Sequence, residues 1–174
     1  MKLLPVLIAA LFLLTGCMEK QKYEKMEVGL NFYKFPSKYV LKGENISPEI
    51  KIIGIDSKVK SIAIIMVDPD AKNFVHWLIW NIPVNGTNLT IPEGIPKTGV
   101  VKFPIKAIQG KNSFNKIGYD GPSPPPGKLH HYHFKVYGLD TFLDLEYGSN
   151  KKQLENAMHG HIIQYGEAVA VYKG

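Results

Sequence analysis

Beyond Glu27 the chain is a series of short apolar runs, rich in β-branched and aromatic residues and broken by proline, glycine and asparagine. That pattern specifies strands and leaves no room for long helices. Ile50–Ile53 and residues 61–67 and 75–82 are three such runs, and residues 131–139 and 168–172 are two more. One segment differs: across residues 150–159, Leu154, Ala157 and Met158 recur at helical spacing, and Gly160 stands as a stop. Residues 85–103 and 107–127 carry few regular signals and are expected as long loops, which inside a compact domain are more often functional than idle. The expected fold class is mainly β with one or two short helices.

With 174 residues, 45% of them hydrophobic and 21% charged, the chain can close one core without disulfides or a structural metal. Its single cysteine, Cys17, excludes an intramolecular disulfide, a CxxC redox centre and multi-cysteine zinc sites. The formal charge is +6, with lysine at every basic position and arginine at none. Arginine is the side chain that forks onto phosphates and guanine edges, so scattered lysines read as a solvated surface, and no nucleic-acid partner is expected.

The start of the chain reads as an address. Lys2 precedes an apolar run over residues 3–14, too short to span a bilayer, that ends in Leu14-Thr15-Gly16-Cys17. That ending resembles the lipobox of prokaryotic lipoproteins, in which the cysteine is lipidated and becomes the first residue. The expected organisation is a signal peptide over 1–16, a lipid-anchored tether over 17–27 and a globular domain over 28–174. The protein would then be exported and held through Cys17 at the outer face of the cytoplasmic membrane, stably if more than one acyl chain is attached.

Polar residues gather where strands begin and end. Alternation along residues 75–81 puts His76, Leu78 and Trp80 on one face and Val75, Trp77 and Ile79 on the other, and along residues 130–136 it groups His130, Tyr132, Phe134 and Val136. Each group is polar at its start and apolar further along, as at the rim of a pocket. Asp68-Pro69-Asp70 follows an apolar strand and carries two carboxylates at its end.

These motifs together resemble the phosphatidylethanolamine-binding protein family, in particular its small prokaryotic members, over about residues 30–172. Lys42-Gly43-Glu44-Asn45-Ile46-Ser47-Pro48 is similar to the family's Gly-x-Asn-x-Ser-Pro turn, Asp68-Pro69-Asp70-Ala71 to its Asp-Pro-Asp-Ala-Pro motif, and His76-Trp77 with Asn81-Ile82-Pro83 to its His-Trp strand. Tyr119 to Gly127 with His130 and Tyr132 resembles its Gly-Pro-x-Pro-Pro-x-Gly…His-x-Tyr segment, and Gly160-His161-Ile162 a later Gly-His segment. Lys72, Ser123 and His131 depart from the family pattern, standing for a proline, a cysteine and an arginine. The resemblance implies a β-sandwich and an anion pocket lined by Asp68, His76, His130 and Tyr132, with Asp70 and a proline wall including Pro122 and Pro124 close by. It implies a phosphate-bearing or phospholipid head-group ligand, and in some members inhibition of a kinase or protease.

An imidazole beside a carboxylate can donate to a phosphate oxygen, and Tyr132 adds a neutral donor. Asp68 would repel a dianion, so it is expected to orient a histidine or meet an ammonium. Binding should then weaken as pH rises through the imidazole range, ordinarily about 6.5. Two competing chemistries are weaker. Histidine pairs at 131/133 and 159/161 offer metal-ligand spacing without a fixed supporting shell. Ser123, His130 and Asp120 cluster as in a serine hydrolase, but the second glycine of a nucleophile elbow is missing, and Pro124 removes a backbone donor. The expected protein is non-catalytic, without a cofactor.

Overall fold

The computed structural model describes residues 23–174. In chain order its strands are β1 (Glu24–Lys25), β2 (Glu27–Gly29), β3 (Ile50–Ile53), β4 (Ser61–Asp68), β5 (Phe74–Pro83), β6 (Asn88–Ile91), β7 (Val100–Val101), β8 (Ala107–Gln109), β9 (Leu129–Leu139) and β10 (Ile162–Lys173), with one helix, α1 (Lys151–Met158). Seven strands form a sheet in the order β1-β10-β9-β4-β5-β8-β7, and three form a second sheet in the order β2-β3-β6. The protein is a β-sandwich, as the resemblance implied.

β4 shows why these residues make this architecture. All eight of its residues are buried. Ile62, Ile64 and Met66 enter the core between the sheets with Ile50, Ile52 and Ile91, whereas Ala63, Ile65 and Val67 enter a second core beneath α1 with Leu154 and Met158. A central strand covered on both faces has no polar side, so it reads as a continuous apolar run. Each such isoleucine contributes roughly 1.5–3 kcal/mol by burial. At the start of α1, Asn150 accepts from the Gln153 N–H at 3.0 Å while Gln153 accepts from the Asn150 N–H at 2.9 Å, a reciprocal cap that fixes where the helix begins.

Three expectations change. The tether expected over 17–27 overlaps the fold, because Glu24 and Lys25 pair with Gln164 and Tyr165 and Met26 is buried in the main core; Cys17 and the signal peptide expected over 1–16 lie outside the described residues. The loops expected over 85–103 and 107–127 contain β6, β7 and β8, strands of two to four residues that are too short to show a period. Finally, β10 begins six residues before the run at 168. Its first half is not a continuous apolar run because Gln164 serves a neighbouring loop, accepting from the Asp56 N–H and donating to the Gly54 carbonyl, and because Gly166 lies where a Cβ would crowd the Met26 carbonyl at 2.6 Å.

The alternation expected along β5 also breaks, and the break builds the site. Val67 pairs with Val75 but Met66 pairs with Trp77, so His76 is an extra residue, a bulge. Val75, Leu78 and Trp80 pack into the core beneath α1 and Trp77 and Ile79 into the core between the sheets. His76 is thereby separated from Leu78 and Trp80 and meets the Tyr132 ring edge-on at 5.2 Å between ring centres.

Candidate functional site

The end of β4, the start of β5 and the start of β9 surround a cavity of about 210 Å³ lined by Asp68, Ala71, Phe74, His76, Phe114, Ser123, Pro124, Pro125, His130 and Tyr132. The four positions expected to line an anion pocket converge there. Asp70 and Pro122 do not line it. Asp70 is exposed and turned outward, accepting from the His131 N–H at 2.7 Å and from His131 Nδ1 at 2.9 Å, contacts that hold its carboxyl below the usual range. Pro122 is buried and its carbonyl accepts from the Leu41 N–H at 3.0 Å, so the wall begins one residue later, at Ser123.

Both carboxylate oxygens of Asp68 have partners within the protein. One carboxylate oxygen accepts from the Ala71 N–H at 3.1 Å and caps the short 3-10 turn Pro69–Ala71, and the other takes His130 Nδ1 at 2.7 Å. The side chains of Asp68 and His130 are 3% and 14% exposed, so the pair is shielded from bulk water. A carboxylate can only accept, so Nδ1 of His130 carries a proton and Nε2 is the nitrogen left for a ligand. When His130 carries its second proton, Nε2 is a charge-assisted donor with a compensating carboxylate behind it.

His76 is a different kind of histidine. Its residue is 2% exposed, and its Nδ1 lies 2.7 Å from the main-chain oxygen of Asp120. Burial, its largest influence, lowers its pKa, against the opposing pull of the Asp120 carbonyl, the Asp68 charge and the Gly121 carbonyl. This corrects the expectation that both histidines are charged donors: His76 is held neutral by burial and spends its one proton on a carbonyl. Tyr132 is fully buried, and its hydroxyl lies by the Asp68 carboxylate without a hydrogen bond of good geometry. Burial, then the Asp68 charge, pushes its phenol well above the ordinary value, so it stays a neutral donor.

A scaffold that the sequence reading passed over supports the His76 side. The Asp120 N–H donates to the His76 carbonyl at 3.0 Å, closing a two-way bond between the two residues. The Asp120 side chain is 3% exposed and accepts from Asn45 at 2.7 Å, Asn112 at 2.9 Å and Lys97 at 3.2 Å. Burial opposes its charge, but these donors outweigh burial and leave its carboxyl below the usual range. Asn45, in the left-handed region at φ 56°, also accepts from the Gly121 N–H at 2.8 Å. Gly121 must be glycine, since a Cβ there would run into the Tyr39 carbonyl. Asp120 is thus engaged away from His130, and no Ser123–His130–Asp120 relay is formed. His131 and His133 turn to separate carboxylates, Asp70 and Glu167, rather than to a shared centre. Phe74 and Phe114, which meet edge-on at 4.8 Å, complete an aromatic side of the cavity; Phe74 opens β5 one residue before the run that begins at 75 and Phe114 lies in a loop, so only the fold brings them together.

Comparison with known proteins places this geometry in context. The profile of a family described as phosphatidylethanolamine-binding protein matches residues 27–173. A UPF0098 protein of Pyrococcus horikoshii is 49% identical over 98% of this chain and 89% of its own length, and one of Pyrococcus abyssi is 46% identical over 99% of each. Among solved structures, a putative phosphatidylethanolamine-binding protein homolog from Chlamydia trachomatis superposes with a TM-score of 0.73 at 32% identity, covering 87% of this chain and 99% of its own. YbcL of E. coli, described as a member of the mammalian family, superposes with a TM-score of 0.76 at 29% identity, covering 86% and 99%.

Proposed function

The chain belongs to the phosphatidylethanolamine-binding protein family, and on that premise we propose that it is a non-catalytic binding protein whose cavity takes a small phosphate-bearing ligand. The observation that carries this reading is the shielded Asp68–His130 pair, 2.7 Å apart at the cavity. With a second proton on His130, the pair gives an incoming oxyanion an oriented donor whose charge the Asp68 carboxylate compensates. Tyr132 is a second donor of high intrinsic pKa, and its poorly matched hydroxyl gains from a ligand oxygen. Asp68 has both oxygens engaged, which favours its orienting role over direct contact with an ammonium. The cavity of about 210 Å³ has room for a phosphate or a phosphorylated head group rather than a large molecule.

Export and attachment through Cys17 belong to the same proposal and rest on the Leu14-Thr15-Gly16-Cys17 ending. Native mass spectrometry of the gently released protein tests the binding reading. A bound small molecule containing phosphorus, retained by the wild type and lost in His130→Ala, is the expected result. Retention of the same mass by His130→Ala, or a co-purifying molecule without phosphorus, contradicts it.

A further inference from the structure

The end of the sandwich remote from the cavity carries an exposed turn between β7 and β8. Trp80, near the finish of β5, pairs with Ile108, and Val101 pairs with Ala107, so residues 102–106 continue past the sheet at the end where β5 finishes. The chain enters the fold at the same end. Glu24 pairs with Gln164, Gln164 with Gly138, Gly138 with Ile62 and Ile62 with Ile82, one row across the sheet. β1 and β7 are the two edges of that sheet, six strand spacings or about 29 Å apart.

The turn reads Lys102-Phe103-Pro104-Ile105-Lys106. Phe103 is 81% exposed, more than any other large apolar residue among those described. Beside it lies a groove of about 530 Å³ whose lining includes Val100, Ile108 and the exposed Phe142 as well as both lysines. Between Glu93 and Asp120 the sequence has five lysines and no carboxylate, and among the described residues neither Lys102 nor Lys106 is in an ion pair. Of nearby carboxylates, Asp140 pairs with His161 at 2.9 Å and Asp144 is exposed, and neither lines the groove. A phenyl ring between two unpaired lysines suits the boundary of an anionic bilayer, where the ring enters the acyl region and the lysine stems reach back to the head groups.

Resting on the reading that Cys17 carries a lipid anchor, we infer that the β7–β8 turn is a second membrane contact, seating the domain on the anionic lipid surface that holds the anchor. Chain length decides which end faces that surface. Six residues separate Cys17 from Tyr23, at most about 20 Å of extended chain. The cavity end also shows apolar and basic residues, Tyr33, Leu129, Lys34 and Lys173. It lies eight residues further along β10, about 26 Å and beyond that reach. An anchor at one edge alone lets the domain tip, whereas a contact at the other edge holds it upright with the cavity facing away from the membrane. One ring and two lysines bind too weakly to hold the protein unaided, but the anchor raises their effective concentration at the lipid surface.

The test uses the lipidated full chain, extracted from membranes and reconstituted in vesicles of phosphatidylcholine and phosphatidylglycerol. Trp77 and Trp80 are fully buried, so a tryptophan added at the surface reports on its own surroundings once the wild-type emission is subtracted. Phe103→Trp is expected to emit further to the blue on vesicles and to be quenched about twofold or more by lipids with brominated acyl chains, as a ring at the acyl boundary would be. Adding Lys102→Gln and Lys106→Gln is expected to remove most of that quenching, and Tyr33→Trp at the cavity end is expected to show none. An unquenched Phe103→Trp on vesicles that carry the protein, quenching of Tyr33→Trp instead, or quenching indifferent to both lysines overturns the inference while the anchor stands. A blue shift that brominated lipid does not quench means that protein rather than lipid covers the turn, and overturns it as well. Failure of the wild type to float with the vesicles overturns the anchor reading and this inference with it.

Discussion

His76 and His130 share a cavity but are held by different partners, a carbonyl for one and a carboxylate for the other. Replacing Asp68 with asparagine keeps the shape and removes the charge behind His130. Phosphate affinity should fall by roughly ten- to a hundredfold, the equivalent of about 1.5–3 kcal/mol for a charge-assisted hydrogen bond, as read by calorimetry. His76 predicts a pH effect on stability. Because burial depresses its folded pKa, the unfolded imidazole takes up a proton at its ordinary value, about 6.5, while the folded one resists. Its share of stability is therefore whole above that value and is lost as pH falls through the folded pKa. Urea midpoints should decline more steeply between about pH 7.5 and 5 in the wild type than in His76→Gln; parallel declines would contradict it. Asp68, His76, His130 and Tyr132 were legible in the sequence because each sits in a short motif at a strand end. The scaffold on Asp120 was not, since its decisive group is a peptide carbonyl, which every residue has. Pro122 misled for a related reason: motif adjacency does not say which residue of a bent segment turns inward.

Among the elements, α1 packs on the face of the large sheet away from the cavity, where Leu154 and Met158 meet Leu78 and Trp80. Removing its cap with Asn150→Ala should cost about 1 kcal/mol in urea unfolding while leaving phosphate affinity unchanged. A loss of affinity in that variant would mean the helix and the site are coupled. The elements that position the site were also the readable ones, because β4, β5 and β9 are eight to eleven residues long and show their apolar content clearly. Period-two alternation failed on β5 where His76 bulges, since alternation holds only while each residue has one partner. That failure has functional content: without the extra residue, the pairing of Val67 with Val75 would leave His76 on the strand position that Trp77 now fills. A second register shift on the strand lies by Asn81, which is left-handed at φ 58° and held by two bonds to the main chain of Leu143.

Across the whole molecule, the chain enters the fold and opens its cavity at opposite ends. Glu24 pairs with Gln164 near the start of β10, whereas His130 pairs with Tyr172 near its finish, a separation of eight residues or about 26 Å of strand. An anchor at Cys17 would hold the domain by the end remote from the cavity, leaving the site open to the surrounding medium. Cys17→Ser should move the protein from membrane to soluble fractions, or block its processing, without weakening phosphate binding; unchanged membrane association would contradict the anchor. The account rests most heavily on one property, the ability of the Asp68–His130 pair to hold a phosphate. Calorimetric titration of inorganic phosphate into the wild type and His130→Ala, side by side, measures it directly. The account predicts saturable one-to-one binding that His130→Ala weakens about tenfold or more, and equal binding by the two proteins would contradict it.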